Sequence, residues 1–318
     1  MTSRLVTILA VALAIAALAG ASFRLTGSSP AAPRPAHASL PPSPASYLGV
    51  FEPGAPPSYA PVANFAAAAG REPTLVGYYG GWTQPFDTSF AEILHQHGVI
   101  PFVQIDPTDA SIAAIADGTY DDYLRSYADS VRGFDHAVVI GFGHEMNAPW
   151  YSWGYGHVAP STFVAAWRHI WTLFHGQGAD NVTWVWTLQA DERSTGPIAS
   201  WWPGAQYVTW VGVDGYYRQP SDTFASVFGR TINQVRTFAS KPVLLSETSV
   251  GPEAGQAVKI QNLFRGMAAY KTLGLVWFDK AQHGDIYHQD WRLEDSPAAA
   301  ISFSLGVAKE LASSPPAH

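Results

Sequence analysis

The sequence predicts a single (β/α)8 TIM barrel, and three observations carry that expectation. Eight near-continuous apolar runs recur along the chain, helical patterns separate them, and together they fill residues 47–311. A closed barrel of this kind takes about 250 residues. The runs are Leu48–Phe51, Leu75–Tyr79, Ile100–Ile105, Ala137–Phe142, Val182–Thr187, Val208–Val213, Val243–Ser246 and Gly274–Phe278. None alternates cleanly between apolar and polar, as expected of parallel strands covered on both faces. Helical patterns lie over Tyr59–Ala69, Phe90–His97, Tyr120–Arg132, Ser161–His175, Phe224–Ala239, Gln256–Leu273 and Pro297–Leu311. The Ser200–Tyr207 connection is too short and Trp-rich to predict a helix. A doubly wound open sheet is the alternative, but no Gly-rich nucleotide fingerprint follows the first run, and eight strands close a barrel.

Composition narrows the function. The chain has 318 residues, with 12 Trp, 14 Tyr and 16 Phe, 14% charged residues and no Cys. Soluble domains average about 25% charged residues. A net charge of −7 without a Lys/Arg cluster argues against nucleic acid. The lack of Cys removes disulfides, thiolate metal sites and Cys nucleophiles together. Many aromatics with few charges suit a large core plus a stacking surface for an uncharged ligand such as sugar rings.

The first 46 residues differ from the rest, with Arg4, Arg24 and Arg34 and no acid. Arg4, the apolar run Leu5–Ala19 and the Ala17-Leu18-Ala19 exit make residues 1–27 a secretory signal peptide or an N-terminal membrane anchor. Either way the bulk of the chain is expected to work outside the cytoplasm. Residues 28–46 hold six prolines among nineteen residues and are expected to be an extended linker, with 312–318 a disordered tail. Residues 47–311 are then one domain, expected to be a monomer, with membrane attachment through the N-terminal segment alone.

Active sites of such barrels form at the C-terminal ends of the strands. The fourth run ends Gly143-His144-Glu145-Met146-Asn147, and the seventh ends Ser246-Glu247-Thr248. Two carboxylates across a barrel mouth are what glycosidic cleavage requires: one protonates the leaving oxygen, and the other attacks C1 or activates water. Phe142, Met146 and Trp150 give Glu145 the apolar setting that raises a carboxyl pKa.

The segment His144-Glu145-Met146-Asn147, followed by Trp150-Tyr151-x-Trp153-Gly154, resembles the acid/base segment of glycoside hydrolase family 26. That family holds mainly secreted β-mannanases, with some mixed-linkage glucanases and β-1,3-xylanases. Ala148-Pro149 and Ser152 depart from its common pattern, and the match around Glu247 is looser. The resemblance implies a (β/α)8 barrel that retains anomeric configuration, with Glu145 as acid/base and Glu247 as nucleophile. It also makes Tyr216 the tyrosine that contacts the nucleophile, His144 a subsite histidine and Trp277 the floor of the cleavage subsite. The plainer alternatives are a core or rim tyrosine for Tyr216 and a structural histidine for His144. Asn147 either binds substrate or fixes its loop. Tyr78, Trp82, Trp150, Trp153 and Trp291 are candidates for outer subsites or core packing. Gln104 and Asp106 could bind sugar hydroxyls, and Asp106 could equally cap a helix.

His283, Asp285, His288 and Asp290 crowd the loop after Trp277. Their spacing matches no helical zinc motif, so the expectation is a polar rim to the cleft, with no metal and no cofactor. The reading is thus a secreted retaining endo-β-glycanase acting on β-1,4-mannan-type polysaccharide. A mixed-linkage β-glucanase, a β-1,3-xylanase and a non-catalytic polysaccharide-binding barrel are the alternatives. A binding module has no need of the carboxylate pair.

Overall fold

A computed structural model of the chain describes residues 40–190, 196–251, 255–281 and 289–311. The signal segment, most of the expected linker, the tail and His283, Asp285 and His288 lie outside these residues. No helix among the described residues is long and apolar enough to cross a membrane.

Eight parallel strands close into a barrel in sequence order: β1 (Tyr47–Phe51), β2 (Leu75–Gly81), β3 (Ile100–Asp106), β4 (Val138–Phe142), β5 (Val182–Gln189), β6 (Trp210–Tyr217), β7 (Val243–Val250) and β8 (Gly274–Phe278). β8 closes the barrel by pairing with β1, from Tyr47 opposite Gly274 to Phe51 opposite Phe278. The helices are α1 (Ala60–Ala69), α2 (Thr88–Gln96), α3 (Ile112–Ala116), α4 (Asp121–Phe134), α5 (Pro160–Gly176), α6 (Arg230–Val235), α7 (Gln256–Tyr270) and α8 (Pro297–Glu310).

Side chains of successive strand residues alternate between the barrel interior and the helix layer. Tyr47, Leu75, Phe102, Val139, Val185, Trp210, Leu244 and Val276, one per strand, pack together as the floor of the interior. Above them the lining shrinks. A Cβ on Gly49 would lie 2.8 Å from Val276, one on Gly141 would lie 1.9 Å from Gln104, and one on Gly212 would lie 2.4 Å from Ser246. Gly49 makes room for Val276 and Leu75 of the floor, while Gly141 and Gly212 make room for the polar Gln104, Ser246 and Thr187.

Three departures from the expected elements are local. Short α3, capped by Ser111 accepting from Ala114 N, lies between the third strand and α4. The pattern over Phe224–Ala239 forms a π-turn at Ala225–Gly229 running into α6, which ends at Val235. The expected linker boundary also moves. Leu40 is buried with the barrel floor, its N–H donates to Thr183 Oγ1 at 3.4 Å, and Pro41 O accepts from the Tyr47 hydroxyl. Residues 40–46 therefore dock beneath the barrel, because an apolar Leu gains more by covering the floor than by trailing in water.

Candidate active site

Strand alternation carries a second set of inward residues, polar apart from Phe278, to the barrel mouth: Tyr79 on β2, Asp106 on β3, Gln189 on β5, Asp214 and Tyr216 on β6, and Phe278 on β8. Two local backbone devices add the carboxylates. After β4 the chain turns through Gly143, at φ 54°, and Glu145, at φ 52°. A non-glycine residue in the left-handed region costs about 1 kcal/mol and is held there by its surroundings. Glu145 N donates to Thr187 O, and Ala148 N returns to Glu145 O. On β7 the pairing with β6 slips by one residue between Gly212 and Asp214. Such a bulge re-aims a side chain, and here Ser246 and Glu247 both reach the interior.

Glu145 accepts from Gln189 Nε2 at 2.9 Å on one oxygen and from Trp150 Nε1 at 2.6 Å on the other. Glu247 accepts from the hydroxyls of Tyr79 and Tyr216. One carboxyl oxygen from each of Glu145, Glu247 and Asp214 lies within 4.8 Å of the other two. Burial pushes the Glu145 carboxyl up to about 7; His144 lowers it, Glu247 raises it, and the Trp150 hydrogen bond and Arg218 lower it. Asp214 is fully buried, accepts from Ser246 Oγ at 2.5 Å, and is held well above the usual carboxylate range by burial and by the charges of Glu247 and Glu145. It therefore favours the neutral acid.

His144 lies between two partners, with Nδ1 at 2.8 Å from Asp106 Oδ1 and Nε2 at 3.0 Å from the Tyr151 hydroxyl. Burial disfavours its charge, but Asp106, Glu145 and Glu247 outweigh that and raise it to about 9. An imidazolium beside two glutamates compensates their charge in a site where water does little.

Residues 115–293 match the family described as glycosyl hydrolase family 26, over more than half of the chain. The chain belongs to this family. This family 26 chain is 25% identical over 271 residues to Endoglucanase H of Acetivibrio thermocellus, covering 80% of the chain and 29% of that protein. It is 27% identical over 140 residues to Mannan endo-1,4-beta-mannosidase A and B of Caldalkalibacillus mannanilyticus, covering 41% of the chain and 26% of that protein. The chain thus spans less than a third of the length of these curated relatives. Among solved structures, the Bacillus subtilis mannanase man26 superimposes with a TM-score of 0.63 at 19% identity, covering 84% of this chain and 86% of that one.

In this family 26 barrel the expected residues fall into two groups. Glu145, Glu247, His144, Trp150, Tyr216 and Trp291 converge at the mouth. Trp150 is 45% exposed above Glu145, and Trp291 stacks on Tyr216 with ring centres 4.3 Å apart. The others lie elsewhere. Trp277 faces the helix layer, edge-on to Phe303 of α8 at 5.0 Å, with Nε1 donating to Trp291 O at 3.0 Å. It is Phe278 that turns inward, stacked on Phe51 at 4.6 Å. Tyr78 likewise points outward, edge-on to Phe90 of α2, and its neighbour Tyr79 reaches Glu247.

Trp82 packs edge-on against Tyr120 and Tyr123 near α4. Gln104 is buried inside the barrel, donating to Thr187 Oγ1 at 3.0 Å. Asn147 is fully buried, with both ends of its amide on the Gln189 backbone, at 2.8 and 2.9 Å. It fixes its loop to β5 instead of facing a ligand. Trp153 is buried too, stacked on Tyr151, with Nε1 donating to His144 O. The sequence reading missed Tyr79, Gln189, Asp214, Tyr151 and Phe278. Counting by twos from an assigned inward residue would have found all of these except Tyr151.

Proposed function

We propose that the chain is an exported, retaining endo-β-glycanase that cuts a neutral β-linked polysaccharide, with β-1,4-mannan type as the first candidate. The observation that carries this reading is the approach of one carboxyl oxygen of Glu145 to one of Glu247 within 4.8 Å. Retaining enzymes hold their carboxyl groups about 5–5.5 Å apart, whereas inverting ones leave about 6.5–9.5 Å for a water. The second support is the difference between the two environments. Glu145, at about 7, is poised to give a proton near neutrality and take it back. Glu247 receives two phenolic hydrogen bonds, which hold its carboxyl in a fixed orientation for attack.

In this mechanism Glu145 protonates the glycosidic oxygen as Glu247 attacks C1. The aglycone leaves, and a glycosyl ester on Glu247 remains. Glu145, now a carboxylate, then takes a proton from water, whose oxygen attacks C1 and frees Glu247. Charged His144 donates from Nε2 to Tyr151, leaving the Tyr151 hydroxyl proton for a sugar oxygen. Trp150 and the stacked Tyr216–Trp291 pair offer apolar ring faces to the sugar. Export rests on the basic, acid-free start of the sequence and its apolar run.

A β-glucan is the second reading, favoured by the match over 80% of the chain to a protein named an endoglucanase. Reducing-sugar release from mannan, lichenan, β-1,3-xylan and cellulose separates the two. Full activity in both Glu145→Ala and Glu247→Ala would sink the mechanism. Binding without hydrolysis across the panel would favour a non-catalytic barrel instead.

A further inference from the structure

A second group of three carboxyls lies on the same face of the barrel, outside the site just described. Glu52 directly follows β1, Asp279 directly follows β8, and Glu294 lies further along the segment after β8. The two strands are neighbours, and Asp279 N donates to Phe51 O at 2.9 Å, so Glu52 and Asp279 meet although they are far apart in sequence. One oxygen from each of Glu52, Asp279 and Glu294 lies within 4.8 Å of the other two. Glu52 and Asp279 are buried, at 5% and 1% exposure, while Glu294 is exposed.

Three carboxylates so close repel one another, and the Arg292 charge offsets only part of that repulsion at Glu52. Asp279 Oδ1 accepts from Leu293 N at 2.6 Å and from Trp277 Nε1 at 3.2 Å. Asp279 Oδ2 and Glu52 Oε1, however, are buried with no hydrogen-bond donor among the described residues. The Arg292 guanidinium nearby is engaged by Asp290 and Asp295. Burial, then hydrogen bonding to Glu52 and Glu294 and their charges, push Asp279 up to about 10; burial raises Glu52 to about 7, with Glu294 adding to it and the Asp279 hydrogen bond and Arg292 opposing it. Buried acceptor oxygens without a donor call for a proton or a cation.

We infer that Glu52, Asp279 and Glu294 form a binding site for a hard divalent cation, Ca2+ in the first instance. Ca2+ takes carboxylate oxygens at about 2.3–2.6 Å in flexible geometry, so two of its ligands lie no more than about 5 Å apart. The spacing here falls within that limit. The donor set is all oxygen, which suits a hard ion and not zinc or copper. An ion there would tie the end of β1 to the segment after β8. Trp277 Nε1 bonds both Asp279 and the carbonyl of Trp291, and Trp291 stacks on Tyr216, the partner of Glu247. The site would therefore brace one wall of the cleft. This inference stands apart from the substrate reading and departs from the metal-free enzyme expected from sequence spacing.

The test uses the full chain stripped with chelator, followed by calorimetric titration with CaCl2 or MgCl2 and thermal unfolding with each. We expect one Ca2+ per chain and a midpoint raised by about 5 °C at a hundredfold excess over Kd. Asp279→Asn and the surface variant Glu294→Gln should lose that response, and Glu247→Gln should keep it. Loss of the response in Glu247→Gln alone would place the ion in the cleavage site and overturn the inference. So would a midpoint indifferent to Ca2+ and to chelator, which would leave a proton shared between Glu52 and Asp279 as the explanation. None of these readouts needs a substrate, so the result is independent of the activity panel.

Discussion

The barrel mouth holds two clusters of three carboxyls, and they are built differently. In the first, Glu145 and Glu247 receive hydrogen bonds from Trp150, Gln189, Tyr79 and Tyr216, and Asp214 receives one from Ser246. In the second, among the described residues, Asp279 alone has side-chain and backbone N–H donors, and two buried oxygens have none, against one in the first cluster, Asp214 Oδ2. Carboxyls supplied with donors are held at fixed angles with distinct proton affinities, as acid–base chemistry requires. Carboxyls crowded together without donors have no such division of roles, and their charge is better met by an ion. The same residue types on the same barrel face thus differ in what surrounds them, and that difference is what the two proposed roles rest on.

The comparison breaks first if the donor-rich cluster is not catalytic. Replacing Glu247 with Ala should lower kcat on the order of 10^4-fold, with the folded state intact by circular dichroism. The same change at Glu52 should leave kcat within a few-fold of the parent when Ca2+ is present in neither assay. Equal losses at both positions would erase the distinction.

A finer cut removes one donor at a time. Tyr79→Phe and Tyr216→Phe should each cost about 10- to 100-fold in kcat/KM, the worth of one hydrogen bond to a charged group. Steady-state kinetics at pH 6 checks this, and parent-like values in both variants would show that Glu247 does not depend on its phenolic donors.

The pH profile sharpens the role of Glu145. It must be protonated to act, so the alkaline limb of kcat/KM should lie near pH 7, where its carboxyl is placed. The Trp150 indole lowers that value by favouring the carboxylate, so Trp150→Phe should move the limb upward by about one pH unit. A limb displaced to lower pH would have the wrong sign.

The smallest effect is on stability. Glu52, Glu145, Asp214 and Asp279 all bind their protons more tightly in the folded protein than in the unfolded chain. Stability from these groups is therefore full below the ordinary carboxylate range. It is lost as pH rises above about 4, with steps ending near 7 for Glu52 and Glu145 and near 10 for Asp279. Thermal midpoints in chelator should fall between pH 5 and 8, and Asp279→Asn should flatten the remaining loss toward pH 10.

The fold was legible in the sequence because eight buried parallel strands leave eight apolar runs, and no Gly-rich nucleotide fingerprint follows the first to favour an open sheet. Glu145 and Glu247 were legible because each follows such a run directly. The phase of each strand was not. A strand covered on both faces is apolar at every position, so nothing in Leu75–Tyr79 says which of Tyr78 and Tyr79 looks inward, or which of Trp277 and Phe278 does. The interior is also graded, with a floor of large side chains, a glycine layer and a polar rim. This puts Gln104 a layer too deep to meet a ligand, although its residue type is right. Asn147 follows Glu145 by two residues, but its amide faces the Gln189 backbone, and only the loop path shows that.

The short separation of Glu145 and Glu247 makes one direct demand on the products. On the polysaccharide that the panel shows to be cut, proton NMR of the first minutes of hydrolysis should show the β-anomer of the new reducing end appearing first. The α-anomer should follow only by mutarotation. Initial release of the α-anomer would mean inversion, and the assignment of Glu247 as nucleophile would be wrong.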